Sequence, residues 1–213
     1  EKMNIAAQNA VLKTIEEPPS YGIIFLLTTN RGAFLQTILS RCILLTVKPV
    51  PDQEIRKYLM EHWKIEKTMA DFCVDMSMGN IGKAVDIALS EDFSKIREFS
   101  LSVLPYLHEL EPYEIAEKVK QLKNEKELIQ EFLDMMFMWF RDLLVVKTCD
   151  QQEMMIFKEQ YLVLKKQSKL ITYEMLNESF VNIDQTRKRL RANVNFDSSL
   201  EVLFLTLRNG FKQ

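Results

Sequence analysis

Two short apolar runs are the segments of this 213-residue chain that read as β-strands, and both fall within the first 48 residues. They are Ile23-Ile24-Phe25-Leu26-Leu27 and Ile43-Leu44-Leu45-Thr46-Val47. Each is continuous rather than alternating, as in a strand buried on both faces of a parallel sheet. Two such strands cannot make a self-sufficient sheet, and nothing downstream reads as another strand of it. Helical signals surround them. Asn4 is placed to cap a helix running to about Glu16, where Glu17-Pro18-Pro19 stops it, because a residue before proline avoids the helical region. A short helical turn near residues 35–40 leads through Arg41-Cys42 into the second run. Helix, strand, short helix and strand is α/β material. Its incompleteness predicts that the chain is the carboxy-terminal piece of a longer protein.

The pattern changes at Lys48-Pro49-Val50-Pro51, which reads as a hinge. From Asp52 onward apolar residues recur at helical spacing, as at Ile55, Tyr58 and Leu59. Further helices are predicted over 67–77 and 81–90, broken by Gly79-Asn80. Three short helices make a small satellite domain. Beyond Glu91 the helices lengthen. Residues 135–140 (Met-Met-Phe-Met-Trp-Phe) and 143–146 are apolar nearly all round, the pattern of the central helix of a bundle, and core is the preferred reading over an adaptable Met-rich binding groove. Another amphipathic helix fits 172–190. The last is predicted to begin at Asp197 or Ser198, with Ser198 and Glu201 at capping-box spacing.

Composition closes off several function classes. Against 30 Asp+Glu stand 28 Lys+Arg, a formal charge of −2, which argues against an autonomous basic nucleic-acid binder. Cys42, Cys73 and Cys149 form no close pair, so neither a disulfide framework nor a CxxC zinc site is expected. His62 and His108 have no companion at ligand spacing. With 5 glycines, phosphate-cradling chemistry is scarce: Gly79-Asn80-Ile81-Gly82-Lys83-Ala84 is too short for a phosphate-binding loop and ends without a hydroxyl. The basic run Arg187-Lys188-Arg189-Leu190-Arg191 reads as a solvated helix end, and Lys165, Lys166 and Lys169 as a solvated face. No apolar run is long enough to span a bilayer, and Glu1-Lys2-Met3-Asn4 does not open a signal peptide, so a cytoplasmic location is expected.

Three strings, in order, carry a resemblance. The first is Met3-Asn4-Ile5-Ala6-Ala7-Gln8-Asn9-Ala10-Val11-Leu12-Lys13-Thr14-Ile15-Glu16-Glu17-Pro18-Pro19. The second joins Phe25-Leu26-Leu27-Thr28-Thr29-Asn30 to Thr37-Ile38-Leu39-Ser40-Arg41-Cys42, and the third joins Ala192-Asn193-Val194-Asn195 to Leu200-Glu201-Val202-Leu203. Together they resemble the AAA+ clamp-loader subunits of bacterial DNA polymerase III, from end to end of the chain. The resemblance implies a mostly α protein with a remnant of the AAA+ α/β domain at 1–48, a three-helix lid domain at 49–91 and an all-α collar bundle for oligomerisation at 92–213.

The resemblance also assigns candidate residues. Ser40-Arg41-Cys42 is similar to a motif whose arginine acts as a finger on a neighbouring subunit's ATP, which makes Arg41 the candidate catalytic group and Ser40 and Cys42 its motif neighbours. Phosphoryl transfer spreads negative charge over the γ-phosphate oxygens, and a guanidinium supplied in trans stabilises it. Taken alone, Arg41 reads as a surface residue or a helix-end cation. Thr28, Thr29 and Asn30 fall at the family's sensor 1 position, where a nucleotide would lie; from the residues themselves a strand-to-loop cap is the preferred reading. In the family's motor subunit a lid arginine senses hydrolysis, and here Gly82 stands in its place. That departure resembles the subunit type that does not hydrolyse ATP.

The expected function is therefore a non-hydrolysing subunit of a clamp-loader pentamer, serving DNA replication within a DNA-directed DNA polymerase, a nucleotidyltransferase. No activity is expected of the chain alone. Its partners would be the ATP-binding motor subunits and the delta subunit, with the sliding clamp and primed DNA contacted indirectly and no membrane. No cofactor is expected in the chain; ATP with Mg²⁺ would sit on the neighbouring subunit, and zinc only in a part upstream of residue 1. Two alternatives stand: a truncated gamma/tau motor subunit, and a helical interaction module with no ATPase role. The bared apolar flank of the two runs predicts self-association of the isolated chain.

Overall fold

Asn4 opens the first helix as its side-chain chemistry predicts: its Oδ1 accepts from the Ala7 N–H at 2.8 Å, and helix α1 runs Ile5–Glu16. The computed structural model describes residues 3–211; Glu1, Lys2, Lys212 and Gln213 lie outside the described residues, and with them the part of the amino-terminal reading that rests on Glu1-Lys2. The chain divides into two units, Glu1–Lys48 and Pro49–Gln213.

In the first unit, α1 turns one side inward. Gln8 is buried and Val11, Leu12 and Ile15 are half-buried, the i, i+3, i+4, i+7 stripe of a helix resting on one neighbour. That neighbour is the segment leading into the four-residue helix α2, Gln36–Leu39, which packs on α1 and buries Phe34 and Ile38. Ahead of it, a single 3-10 turn spans Arg31–Ala33. The two predicted strands are a correction. Residues 23–27 and 43–47 are in no strand, and no strand occurs among the described residues. Their side chains face solvent, Phe25 at 74% and Val47 at 92% exposure. A strand exists through hydrogen bonds to a neighbour, and an apolar run without one stays unpaired whatever its propensity.

The second unit is helical throughout. Helices α3 (Asp52–His62), α4 (Lys67–Ser77) and α5 (Ile81–Leu89) pack on one another as the predicted three-helix group. Between α4 and α5 the backbone turns through Met78 and Gly79, both at positive φ. A Cβ on Gly79 would lie 2.4 Å from the Pro49 Cβ, and the Val50 N–H donates to the Gly79 carbonyl at 2.9 Å. The Pro49-Val50 half of the supposed hinge is thus bound to the α4–α5 turn.

The larger bundle follows: α6 (Glu91–Val103), α7 (Pro112–Asn124), α8 (Ile129–Thr148), α9 (Tyr161–Ser168), α10 (Tyr173–Arg191) and α11 (Phe196–Asn209). Helix α8 is central, with α6, α9 and α10 against it, while α11 closes on α7 and α10. Met135, Met136, Trp139 and Phe140 are fully buried, so the Met/Phe/Trp cluster is core. One continuous apolar core runs from Ile55 on α3 to Phe211.

Two polar side chains inside this core, Gln167 and Asp142, are each multiply paired. The Trp139 Nε1–H donates to Gln167 Oε1 at 2.9 Å, and Gln167 Nε2 donates to the carbonyls of Leu104 and Pro105 at 2.9 and 2.7 Å. Asp142, fully buried, accepts from the Ile156 and Phe157 N–H groups, both at 2.8 Å, with Arg141 on its other oxygen. Burial raises the Asp142 carboxyl above its ordinary value, against the pull of the Phe157 N–H and the Arg141 guanidinium.

The start of α11 departs from expectation. The cap is Asn195, whose Oδ1 accepts from the Ser198 N–H at 2.9 Å, so the helix begins before Asp197 and Ser198 is already inside its first turn. Among the described residues no helix is long and apolar enough to cross a membrane.

Candidate functional site around Arg41

Helix α2 is only one turn long, so its carboxy-terminal carbonyls lack intrahelical partners. Ser40 and Arg41 supply them. The Ser40 hydroxyl donates to the Thr37 carbonyl at 3.1 Å, and Arg41 Nη1 donates to the same oxygen at 2.8 Å and to Ser40 Oγ at 3.4 Å. The Arg41 side chain therefore folds back over the turn that presents it. On its other side, Nη2 meets Glu16 Oε1 at 2.6 Å. Arg41 is 38% exposed and Glu16 46%, so the pair lies at the surface of its unit. A guanidinium carries five N–H donors. Among the described residues its hydrogen bonds run from Nη1 alone, Nη2 meets Glu16 as an ion pair, and the Nε–H makes no hydrogen bond. Cys42 is exposed and a free thiol.

Gln8, buried on α1, holds the approach to this turn. Its Nε2 donates to the carbonyls of Met3 at 3.1 Å and Ala33 at 3.0 Å, and its Oε1 accepts from the Leu35 N–H at 2.9 Å. Neither Gln8 nor Glu16 stood out in the sequence as a site residue. A glutamine on the apolar stripe of α1 was the available signal, since a buried amide must find partners.

Thr28 and Asn30 build a local turn. Thr28 Oγ1 donates to the Asn30 carbonyl at 2.9 Å and accepts from the Asn30 N–H at 3.0 Å, and Asn30 Oδ1 accepts from the Gly32 N–H at 2.9 Å. Asn30 thereby caps the 3-10 turn. Thr29, exposed, stands between them.

In the second unit, Asn80 Oδ1 caps α5 by accepting from the Lys83 N–H at 3.0 Å, which puts Gly82 in the first turn. Lys83 Nζ is committed to Asp134 on α8 at 2.9 Å, and the same carboxylate receives Arg187 Nη1 of α10 at 2.7 Å. Arg187 is consequently not part of a solvated helix end, although Lys188 pairs within its own helix with Asp184. Lys165 pairs with Asp150 and Tyr161. Among the described residues no group of side chains is arranged to hold a metal ion. Burial pushes the Cys73 thiol up to about 11, Arg97 opposing, which makes it an inert core residue.

A family model described as DNA polymerase III, delta subunit, matches residues 1–51, the stretch that contains α1, the Thr28–Asn30 turn and Arg41. Over 213 residues the chain is 25% identical to DNA polymerase III subunit delta' of Bacillus subtilis, covering 99% of this chain. Along nearly its whole length the chain is thus similar to a delta' subunit. It is also 32% identical to subunit delta' of Escherichia coli over 47% of its length, and 26% identical to subunit tau of Bacillus subtilis over 68%. It spans 64% of the length of the Bacillus subtilis delta' relative and 30% of that of each of the other two. The similarity to delta' covers the positions of all three strings.

Proposed function

We propose that this chain is a non-hydrolysing clamp-loader subunit of a DNA polymerase III, acting in the cytoplasm in DNA replication. In this reading the helices of 92–213 join it to a pentamer with ATP-binding motor subunits and a delta subunit. Arg41 is offered in trans to ATP with Mg²⁺ on the adjacent motor subunit. ATP binding there favours opening of the sliding clamp and its loading on primed DNA. Thr28, Thr29 and Asn30 take the structural part of a sensor 1 loop, and any zinc belongs to a part upstream of residue 1.

The observation that carries the reading is the Arg41 turn: an exposed guanidinium, anchored to its own unit through Nη1 and Nη2, whose Nε–H makes no hydrogen bond among the described residues. A planar guanidinium in this state suits phosphate oxygens, and fingers of this kind are worth about 10³–10⁵ in rate. A delta-prime role is further supported by likeness along 99% of the chain, against 68% for tau. The likeness to tau favours a second reading, a motor subunit. Gly82 speaks against it, since glycine has no side chain to sense a γ-phosphate, and Lys83, beside it, is engaged by Asp134.

The test is the ATPase of the reconstituted full-length complex with and without Arg41→Ala. A fall in DNA- and clamp-stimulated hydrolysis, with assembly intact, is the expected result. Normal rates at saturating ATP refute the role of Arg41, and a phosphate-binding loop upstream of residue 1 that binds and hydrolyses ATP would favour the motor reading.

A further inference from the structure

We infer that Glu16 is the positioning residue of Arg41, the group that sets the direction in which the guanidinium leaves its unit; this rests on the finger reading of Arg41. Three observations lead to it. Glu16 Oε1 lies 2.6 Å from Arg41 Nη2, closer than any other contact of that guanidinium. Glu16 is also the last residue of α1, with no basic residue but Lys13 in that turn. A carboxylate there faces the negative end of the helix dipole, an unfavourable site that a cation such as Arg41 relieves. Finally, Gln8 ties α1 to residues 33 and 35, so the helix carrying Glu16 and the turn carrying Arg41 are held as one piece.

The consequence is geometric. An arginine side chain has many rotamers, and an unheld finger would lose that freedom on meeting the nucleotide. Glu16 at Nη2 and the Thr37 carbonyl at Nη1 hold the guanidinium at two of its nitrogens, so part of that freedom is given up beforehand. The Nε–H, which makes no hydrogen bond among the described residues, is the donor that remains for phosphate oxygens. Glu16 touches neither nucleotide nor reacting atoms in this arrangement; it acts through Arg41.

The experiment is a double-mutant cycle in the reconstituted complex with the full-length subunit, reading ATPase of the adjacent motor. Glu16→Ala should lower kcat about tenfold, because misplacement of a catalytic group by a fraction of an ångström is that costly. The KM for ATP should not change, since the nucleotide's own binding loop lies on the neighbour. Glu16→Gln, which keeps an acceptor at Oε1, should retain an intermediate rate. In an Arg41→Ala background, Glu16→Ala should have no further effect. An equal loss in both backgrounds would overturn the inference, because Glu16 would then act on the fold. So would an unchanged or raised rate with Glu16→Ala while Arg41→Ala is impaired. If Arg41→Ala itself has no effect, the finger reading fails first and the inference with it. Should Glu16→Ala not assemble, the same cycle is run with Glu16→Gln.

Discussion

Arg41 does two things with one planar group: it satisfies the open carbonyl of Thr37 at the end of α2, and it pairs with Glu16 at the end of α1. Its partner Glu16 is about half exposed, and ion pairs of this kind contribute roughly 0–1 kcal/mol to stability. Arg41→Ala should therefore leave the melting temperature of the chain within about 2 °C, while clamp-loading ATPase in the complex falls. Arg41→Lys should behave as a poor replacement, since an ammonium cannot span Thr37, Glu16 and a phosphate oxygen in one plane. A large drop in melting temperature with little change in ATPase would mark Arg41 as purely structural. Gln8 should show the reverse profile. Removing its amide strands the Leu35 N–H and the Ala33 carbonyl, at about 1–3 kcal/mol for each group left unsatisfied. Gln8→Ala should thus speed hydrogen exchange at the Leu35 amide by at least tenfold. Unchanged exchange there would mean that water replaces the glutamine at no cost.

At the scale of elements, caps and one turn decide where helices begin and end. Asn195 caps α11, so Asn195→Ala should lower the unfolding free energy of the chain by about 1 kcal/mol in a denaturant titration, whereas Ser198→Ala, inside the first turn, should change it by less than about half of that. Equal effects would restore Ser198 as the cap. The turn from α4 to α5 is stricter. Gly79 sits at φ 83° with Pro49 against the place of a Cβ, so Gly79→Ala combines backbone strain with a steric clash. A loss of about 1–3 kcal/mol is expected from the strain alone. A neutral Gly79→Ala would mean that Pro49 moves away freely. The Lys83–Asp134–Arg187 cluster belongs to this scale too, because one carboxylate on α8 joins α5 to α10.

For the molecule as a whole, the contrast between the units is one of covered and uncovered apolar surface. The helical unit buries a continuous core, whereas Ile23, Phe25, Leu27, Ile43, Leu45 and Val47 in the first unit are all largely exposed. Two apolar segments whose backbone is in no strand among the described residues are a template for association with further copies. The isolated chain should show concentration-dependent self-association by light scattering, and Phe25→Lys with Leu45→Lys should suppress it. A monomer at all concentrations, or association that survives both charges, would place the contact elsewhere.

Much of this was legible in the sequence, and the reason lies in range. Asn4 before an apolar stripe, Glu17-Pro18-Pro19 after it and Gly79-Asn80 between two periodic segments act on their own neighbours in the chain, so they declare helix limits without any knowledge of the fold. The string around Arg41 was likewise readable as a string. What the sequence could not declare depends on partners far along the chain. Residues 23–27 have the composition of a strand and, among the described residues, no strand to pair with. Arg187 looked like one of several solvated cations until Asp134 of α8 met it. Asn195 and Ser198 were both competent caps, and backbone geometry chose the first. Glu16 resembled any acidic residue at a helix end until the chain turned back and brought Arg41 to it. Local hydrogen bonding and periodicity are written residue by residue, but a charge pair or a sheet edge exists only once packing has set two distant segments side by side.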